Sequence, residues 1–204
     1  KFKISSPKDV EKIFGINNIN LESFIVIWTT TPWTLPSNKS VAVKKDLNYV
    51  LVTNEKENYI VAESLLEKFE ERINLELRRI GICSGNQLIN INAEHPFINN
   101  QIQIIESDHV TDDSGTGCVH IAPAHGIEDF ELGKKFNLDV INPIQGNGVF
   151  SGIPEELNGI HVYKLDDHII EILKRENRLL SQNKFKHSYP HCWRTKTPLI
   201  YRAT

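Results

Sequence analysis

The chain has 204 residues, 40% of them hydrophobic, and a formal net charge of −3. This is enough apolar material for the core of one large domain, and the charge argues against a general basic coat for nucleic acid. No apolar run approaches the roughly 20 residues of a membrane helix, and no charged stretch followed by an apolar core opens the chain as a leader.

Cys83, Cys118 and Cys192 lie far apart and are odd in number. That usage suits a reducing cytosol better than a disulfide scaffold, so the expected location is cytoplasmic. The chain has no methionine and stops at Tyr201-Arg202-Ala203-Thr204, directly after a β-like run. The expectation is a piece excised from a longer protein.

In chain order, the first ~20 residues are mixed and polar, with a short helix predicted around Asp9–Phe14. Strands are predicted at Phe24–Trp28, Ser40–Val43, Tyr49–Thr53 and Tyr59–Val61 from β-branched and aromatic content between Asn/Asp/Glu-rich joins. Glu63–Arg72 reads as a helix with Leu65, Leu66 and Phe69 at helical spacing. Further strands are predicted at Leu75–Ile82, Gln87–Ile91, Gln101–Glu106 and Gly117–Ile121. Helices are predicted from Ile127 to Phe136 and from Leu165 to Leu180, the latter with Ile169, Ile170, Ile172 and Leu173 as its apolar face. Gly146-Asn147-Gly148 and Gly152 mark turns. Many short strands with a few helices point to an α/β fold, a β-barrel-like core surrounded by helices. The expected organisation is a linking segment over 1–20, a principal domain over 21–183 and a return segment over 184–204.

Two segments concentrate polar chemistry. Trp28-Thr29-Thr30-Thr31-Pro32-Trp33-Thr34-Leu35-Pro36-Ser37-Asn38 leaves a buried strand with two tryptophans, two prolines, five hydroxyls and an amide. Prolines stiffen the backbone, and hydroxyls and amides both donate and accept hydrogen bonds. The run suits a neutral polar ligand such as a ribose, an ester or a positioned water; it suits a stiff connection equally well. The second segment is Gly115-Thr116-Gly117-Cys118-Val119-His120-Ile121-Ala122-Pro123-Ala124-His125-Gly126-Ile127-Glu128-Asp129. Alternation places His120 opposite Val119 and Ile121. Asp129 falls in a first helical turn, where a carboxylate is favoured by the helix dipole by roughly 0.3–1 kcal/mol. Cys118, His120, His125, Glu128 and Asp129 are also possible metal ligands, although their spacing matches neither H-E-x-x-H nor C-x-x-C. His187, His191 and Cys192 are a similarly poor match. From Asn177 to Thr204 there is no acidic residue, while Arg178, Lys184, Lys186, Arg194, Lys196 and Arg202 are basic, a solvated tail or a phosphate-facing patch.

Both segments resemble the editing domain of isoleucyl-tRNA synthetase. The threonine-rich run is similar to that family's threonine-rich peptide. The valine and leucine relatives carry an arginine directly after two threonines, where this chain has Thr31. The second segment shares the Gly-Thr-Gly stretch, His120, Ala-Pro and an aspartate nine residues on, Asp129. Ser188-Tyr189-Pro190-His191-Cys192-Trp193-Arg194 and Pro198-Leu199-Ile200 resemble the return toward the catalytic core. Some relatives have a second cysteine where Thr195 stands. The HIGH and KMSKS signatures of amino-acid activation are absent.

The resemblance implies an editing hydrolase, with no cofactor or metal, that deacylates Val-tRNA(Ile) and also Val-AMP. Its partners would be the acceptor end of tRNA(Ile) carrying valine and the rest of a parent synthetase, with no membrane. Isoleucine and valine differ by one methylene, worth only about 1–3 kcal/mol in a pocket, and this enzyme family is itself the standard illustration of that limit. The resemblance assigns Thr29, Thr30, Thr31 and Asp129 to catalysis, with Asp129 holding the substrate ammonium. It assigns Trp33, Thr34, Asn38, His120 and His125 to substrate binding. No Ser-His-Asp or Cys-His set stands at the matching positions, which favours attack by a positioned water. The alternatives are a metal-dependent hydrolase built on Cys118, His120, His125 and Asp129, and a non-catalytic tRNA-binding module.

Overall fold

The computed structural model describes residues 1–183 and 189–203. Lys184, Lys186, His187, Ser188 and Thr204, named above, lie outside the described residues.

Nine strands form one mixed sheet: β1 (Phe2–Ile4), β2 (Ser23–Ile25), β3 (Ser40–Val43), β4 (Asn48–Thr53), β5 (Asn58–Ala62), β6 (Arg78–Ser84), β7 (Asn92–Glu94), β8 (Gln101–Glu106) and β9 (Val119–Ile121). Their order is β6-β4-β5-β2-β1-β7-β8-β3-β9. β2 runs parallel to β5 and β3 parallel to β8, and the other pairs are antiparallel. Among the described residues five α-helices decorate the sheet: α1 (Pro7–Phe14), α2 (Leu66–Ile73), α3 (Gly85–Leu88), α4 (Ile127–Lys135) and α5 (Leu165–Arg175). Among the described residues no helix is long and apolar enough to cross a membrane.

The sheet curls. The Tyr49 hydroxyl, at the start of β4, donates to the Gly117 carbonyl at 2.6 Å. The Ala62 N–H, at the end of β5, donates to the Thr116 carbonyl at 2.8 Å. The lead-in to the last strand thus returns to strands four and five, which gives the mixed α/β fold its barrel-like curvature. Gly117 has φ +71, and a Cβ there would meet Ala62 Cβ at 2.3 Å, so this crossing requires glycine. The principal core runs inside the curl and includes Phe2, Ile25, Trp33, Val41, Tyr49, Ile60, Ile104 and Cys118.

Four expectations change. Gln87–Ile91 is not a strand: Gln87 accepts from the Ser84 N–H at 3.0 Å in a capping box, which opens α3 instead. The strand expected at Leu75–Ile82 begins at Arg78, because Asn74 adopts φ +54 to end α2 and the chain needs three residues to turn. α5 ends at Arg175, not Leu180; Asn177 turns left-handed at φ +52 and the Arg178 N–H folds back to the Leu173 carbonyl at 2.7 Å. Finally, the first twenty residues do more than link: β1 lies between β2 and β7, so the sheet does not begin at residue 21.

Candidate functional site

The threonine-rich run leaves β2 and closes into a six-residue 3-10 turn, Pro32–Ser37. Proline at its first position has φ pre-set for a helical turn, and Pro36 and the following extended Asn38 stop it. Every residue from Trp33 to Asn38 is buried. A short turn cannot hold itself in place, and this one is held by side chains from four other segments.

Asp166, in the first turn of α5, accepts the Trp33 N–H at 2.9 Å. His120, on β9, lies with Nε2 3.0 Å from Thr34 Oγ1 and Nδ1 3.4 Å from Asn38 Nδ2. Asn38 Nδ2 also donates to the Ser40 carbonyl at 2.8 Å, which fixes the amide's orientation. His120 Nδ1 is therefore the acceptor and Nε2 carries the proton, donated to Thr34, whose hydroxyl in turn donates to the Thr31 carbonyl at 2.9 Å. Burial lowers the His120 pKa to about 4, with His95 and His125 adding to the effect, so the ring is neutral. Among the described residues Asn38 Oδ1 is buried with no hydrogen-bond partner, a position that costs about 1–3 kcal/mol unless a further group satisfies it.

His125, from the β9–α4 connection, accepts from the Ser37 hydroxyl through Nε2 at 2.8 Å, while Nδ1 donates to the Tyr201 carbonyl at 3.0 Å. Its ring meets Trp33 edge-on at 4.9 Å. The structure thus brings together a serine and a histidine that the sequence reading did not pair. The order of bonds is that of a nucleophile and its base, but Ser37 is 0% exposed and its hydroxyl has no path to a substrate.

Asp129 does not share a hydrogen bond with His120 or the threonines. Its Oδ2 accepts the Ala122 N–H at 2.8 Å, tying the first turn of α4 to the end of β9. Burial raises its pKa above the ordinary carboxylate range. Thr29 Oγ1 accepts the Thr31 N–H at 3.0 Å and lies 3.3 Å from Thr31 Oγ1. Thr29 and the exposed Thr30 face a cavity of about 400 Å³ shared with Trp28, Arg72 and Asp166. The expected site residues therefore fall on one turn and its supports: Thr29 and Thr30 on the cavity wall, Thr34, Asn38 and His120 in a buried network, and Trp33 and His125 packed beside it. Asp129 lies one step beyond, past Ala122.

The four residues of the alternative metal-dependent reading do not converge. Cys118 is buried in the core, His120 and His125 are bonded as above, and among the described residues no three His, Cys, Asp or Glu side chains gather to hold an ion.

Two features of the site were not anticipated: Asp166 as cap of the turn, and His95, whose Nε2 lies 2.9 Å from the Leu35 carbonyl. No local sequence signal could have found either, since they lie 133 and 60 residues from their partners.

A curled mixed sheet carrying a threonine-rich turn against a Gly-Thr-Gly/His/Asp segment defines an editing domain of a class I aminoacyl-tRNA synthetase. The family model described as leucyl-tRNA synthetase, editing domain, matches residues 8–158, and the chain belongs to that family. In sequence it is similar to isoleucine–tRNA ligases: 49% identical to that of Francisella philomiragia subsp. philomiragia and 47% to that of Francisella tularensis subsp. tularensis strain FSC 198, across the whole chain in both cases. It spans 22% of the length of these relatives. In fold it is similar to the domain GlLeuRS-CP1 (TM-score 0.71, 17% identity, covering 90% of this chain and 98% of that one). It is also similar to the P. knowlesi cytosolic leucyl-tRNA synthetase editing domain (TM-score 0.69, 12% identity, covering 89% and 94%).

Proposed function

We propose that this domain is the hydrolytic editing site of an isoleucine-specific synthetase in the cytoplasm, and that it clears valine from Val-tRNA(Ile) and Val-AMP. The observation that carries this reading is the buried network joining Thr34, Asn38 and His120. It locks the threonine-rich turn to the His120–Asp129 segment and leaves one amide oxygen, Asn38 Oδ1, without a partner among the described residues.

The proposed roles follow from what each side chain has left to offer. Both nitrogens of His120 are committed, so it acts as a fixed wall against the extra methylene of isoleucine rather than as a base. Both nitrogens of His125 are committed too, which leaves its ring face and edge, beside Trp33, for packing against the acyl group. Asp129 gives Oδ2 to Ala122 and keeps Oδ1 for the substrate ammonium, a charge-assisted hydrogen bond. Thr29 and Thr30, on the cavity wall, take the terminal adenosine. Thr31, at the head of the same turn, orients the attacking water, and the buried Asn38 holds the turn against His120. No residue in this set is a nucleophile with both an open path and a free base. Orientation of a bound water can supply about 7–11 kcal/mol of the barrier reduction.

Deacylation of Val-tRNA(Ile) and Ile-tRNA(Ile) is to be compared in the protein joined to its parent synthetase. Faster release of valine supports the reading; equal rates, or no release, would sink it. Asp129→Ala should lower kcat/KM for the valyl ester by roughly 10- to 100-fold, the effect of losing one charged hydrogen bond of about 1.5–3 kcal/mol.

A further inference from the structure

The β7–β8 connection carries His95, which is 5% exposed and lies on no motif shared with the site. Its Nδ1 accepts the N–H groups of Ile98 at 3.0 Å and Phe97 at 3.3 Å. Nδ1 therefore bears no proton, Nε2 does, and Nε2–H donates to the Leu35 carbonyl at 2.9 Å. Burial lowers the His95 pKa to about 4, which keeps the ring in this single tautomer at neutral pH. The ring is also fixed by edge contacts with Phe2 and Phe97, at 6.0 and 4.6 Å between centroids.

The acceptor is the informative part. The Leu35 carbonyl also accepts the Asn38 N–H at 2.9 Å, the bond that closes the 3-10 turn. One oxygen therefore receives both the backbone of a proposed site residue and an imidazole from the β7–β8 connection, 60 residues away in the chain. Leu35 itself is 2% exposed and its side chain belongs to the core, so its carbonyl has no solvent to fall back on.

We infer that His95 is a positioning residue for editing: through the Leu35 carbonyl it sets where Asn38 sits, and so whether the Asn38 amide meets His120 and holds the threonine-rich turn in place for the reacting water. This rests on the editing reading above. His95 touches no substrate. Its role is to hold the turn within the fraction of an ångström that orientation demands, since a misplacement of about 1 Å by a remote mutation can cost about 100-fold in rate.

Two substitutions separate the clamp from the ring's local role. In His95→Asn the side-chain oxygen reaches the Phe97 and Ile98 N–H groups, as Nδ1 does, but the amide is too short for Leu35. In His95→Gln the amide N–H reaches the Leu35 carbonyl, as Nε2 does. The readouts are deacylation of Val-tRNA(Ile) in the parent synthetase and, in the 204-residue chain, hydrogen exchange of the Asn38 backbone amide by NMR. Expected for His95→Asn are a fall of about 100-fold in kcat with KM within about twofold, and faster exchange at Asn38. Expected for His95→Gln are a kcat within about tenfold of the parent and protected exchange at Asn38.

The reverse order, with Asn active and Gln impaired, would make His95 a simple anchor of its own loop and overturn the inference. So would two variants with wild-type rates and exchange. If the unmutated enzyme releases no valine, the editing reading fails, and the Asn38 exchange comparison still decides whether His95 holds the turn.

Discussion

Thr34 Oγ1 stands between His120 Nε2–H and the Thr31 carbonyl, so exchanging its hydroxyl for a methyl tests the network with little change of volume. Thr34→Val leaves the His120 donor buried and unpaired. A loss of about 1–3 kcal/mol in unfolding free energy is expected, measured by urea denaturation. Thr30 gives the contrasting case: it is exposed on the cavity wall. Thr30→Trp should therefore leave stability within about 0.5 kcal/mol of the parent while raising KM for the aminoacyl-tRNA. Asp129 sets a pH signature. Burial raises its folded pKa, and only the ionised form can take the proposed role of holding an ammonium, so that role predicts a valine release that falls as pH drops through a range above that of an ordinary carboxylate. Asp129→Asn should flatten that limb of the profile.

The 3-10 turn at Pro32–Ser37 is an element whose conformation is imposed from outside. Three neutral imidazoles reach it: His95 at Leu35, His120 at Thr34 and His125 at Ser37. Burial lowers the pKa of all three, to about 4 for His95 and His120. Unfolded histidines titrate near 6.5, so between roughly pH 6.5 and 4 the unfolded chain binds more protons than the folded one. Stability is then complete above about pH 6.5 and declines as pH falls toward 4. A melting temperature that stays level across pH 5–7 would contradict this. His95→Gln should reduce the decline. The elements also show where local pattern is a safe guide. Ser40–Val43 and Gln101–Glu106 form strands with the predicted bounds, because continuous or alternating β-branched residues leave few other options. Gln87–Ile91 misled because Ile89 and Ile91 alternate like a strand while Ser84 and Gln87 form a helix-opening box just ahead of them.

For the molecule as a whole, curvature is the deciding feature. The curl brings the Gly115–Gly117 approach onto Trp28 and Ala62, where Cβ atoms on Gly115 and Gly117 would fall 2.3 Å from each. Gly117→Ala combines that overlap with a left-handed φ. It should destabilise the domain by about 1–3 kcal/mol or more and loosen the register between β9 and the threonine-rich turn, seen as a lower melting temperature together with lower editing. The sequence by itself determined the strand-rich α/β class, most helix and strand positions, and the two motifs whose residues recur in the site. These depend on neighbours within a few positions, where periodicity and turn chemistry act. Only the tertiary structure decided that β1 and β7 complete the sheet, that Asp166 caps the turn, and that His120 is bonded on both nitrogens. It alone paired Ser37 with His125 and His95 with Leu35. Each of these is a contact between residues 60 to 133 positions apart, or a strand of three residues. Burial forces such polar groups to find partners, but the chain alone does not say which partners the curl of the sheet will bring within reach.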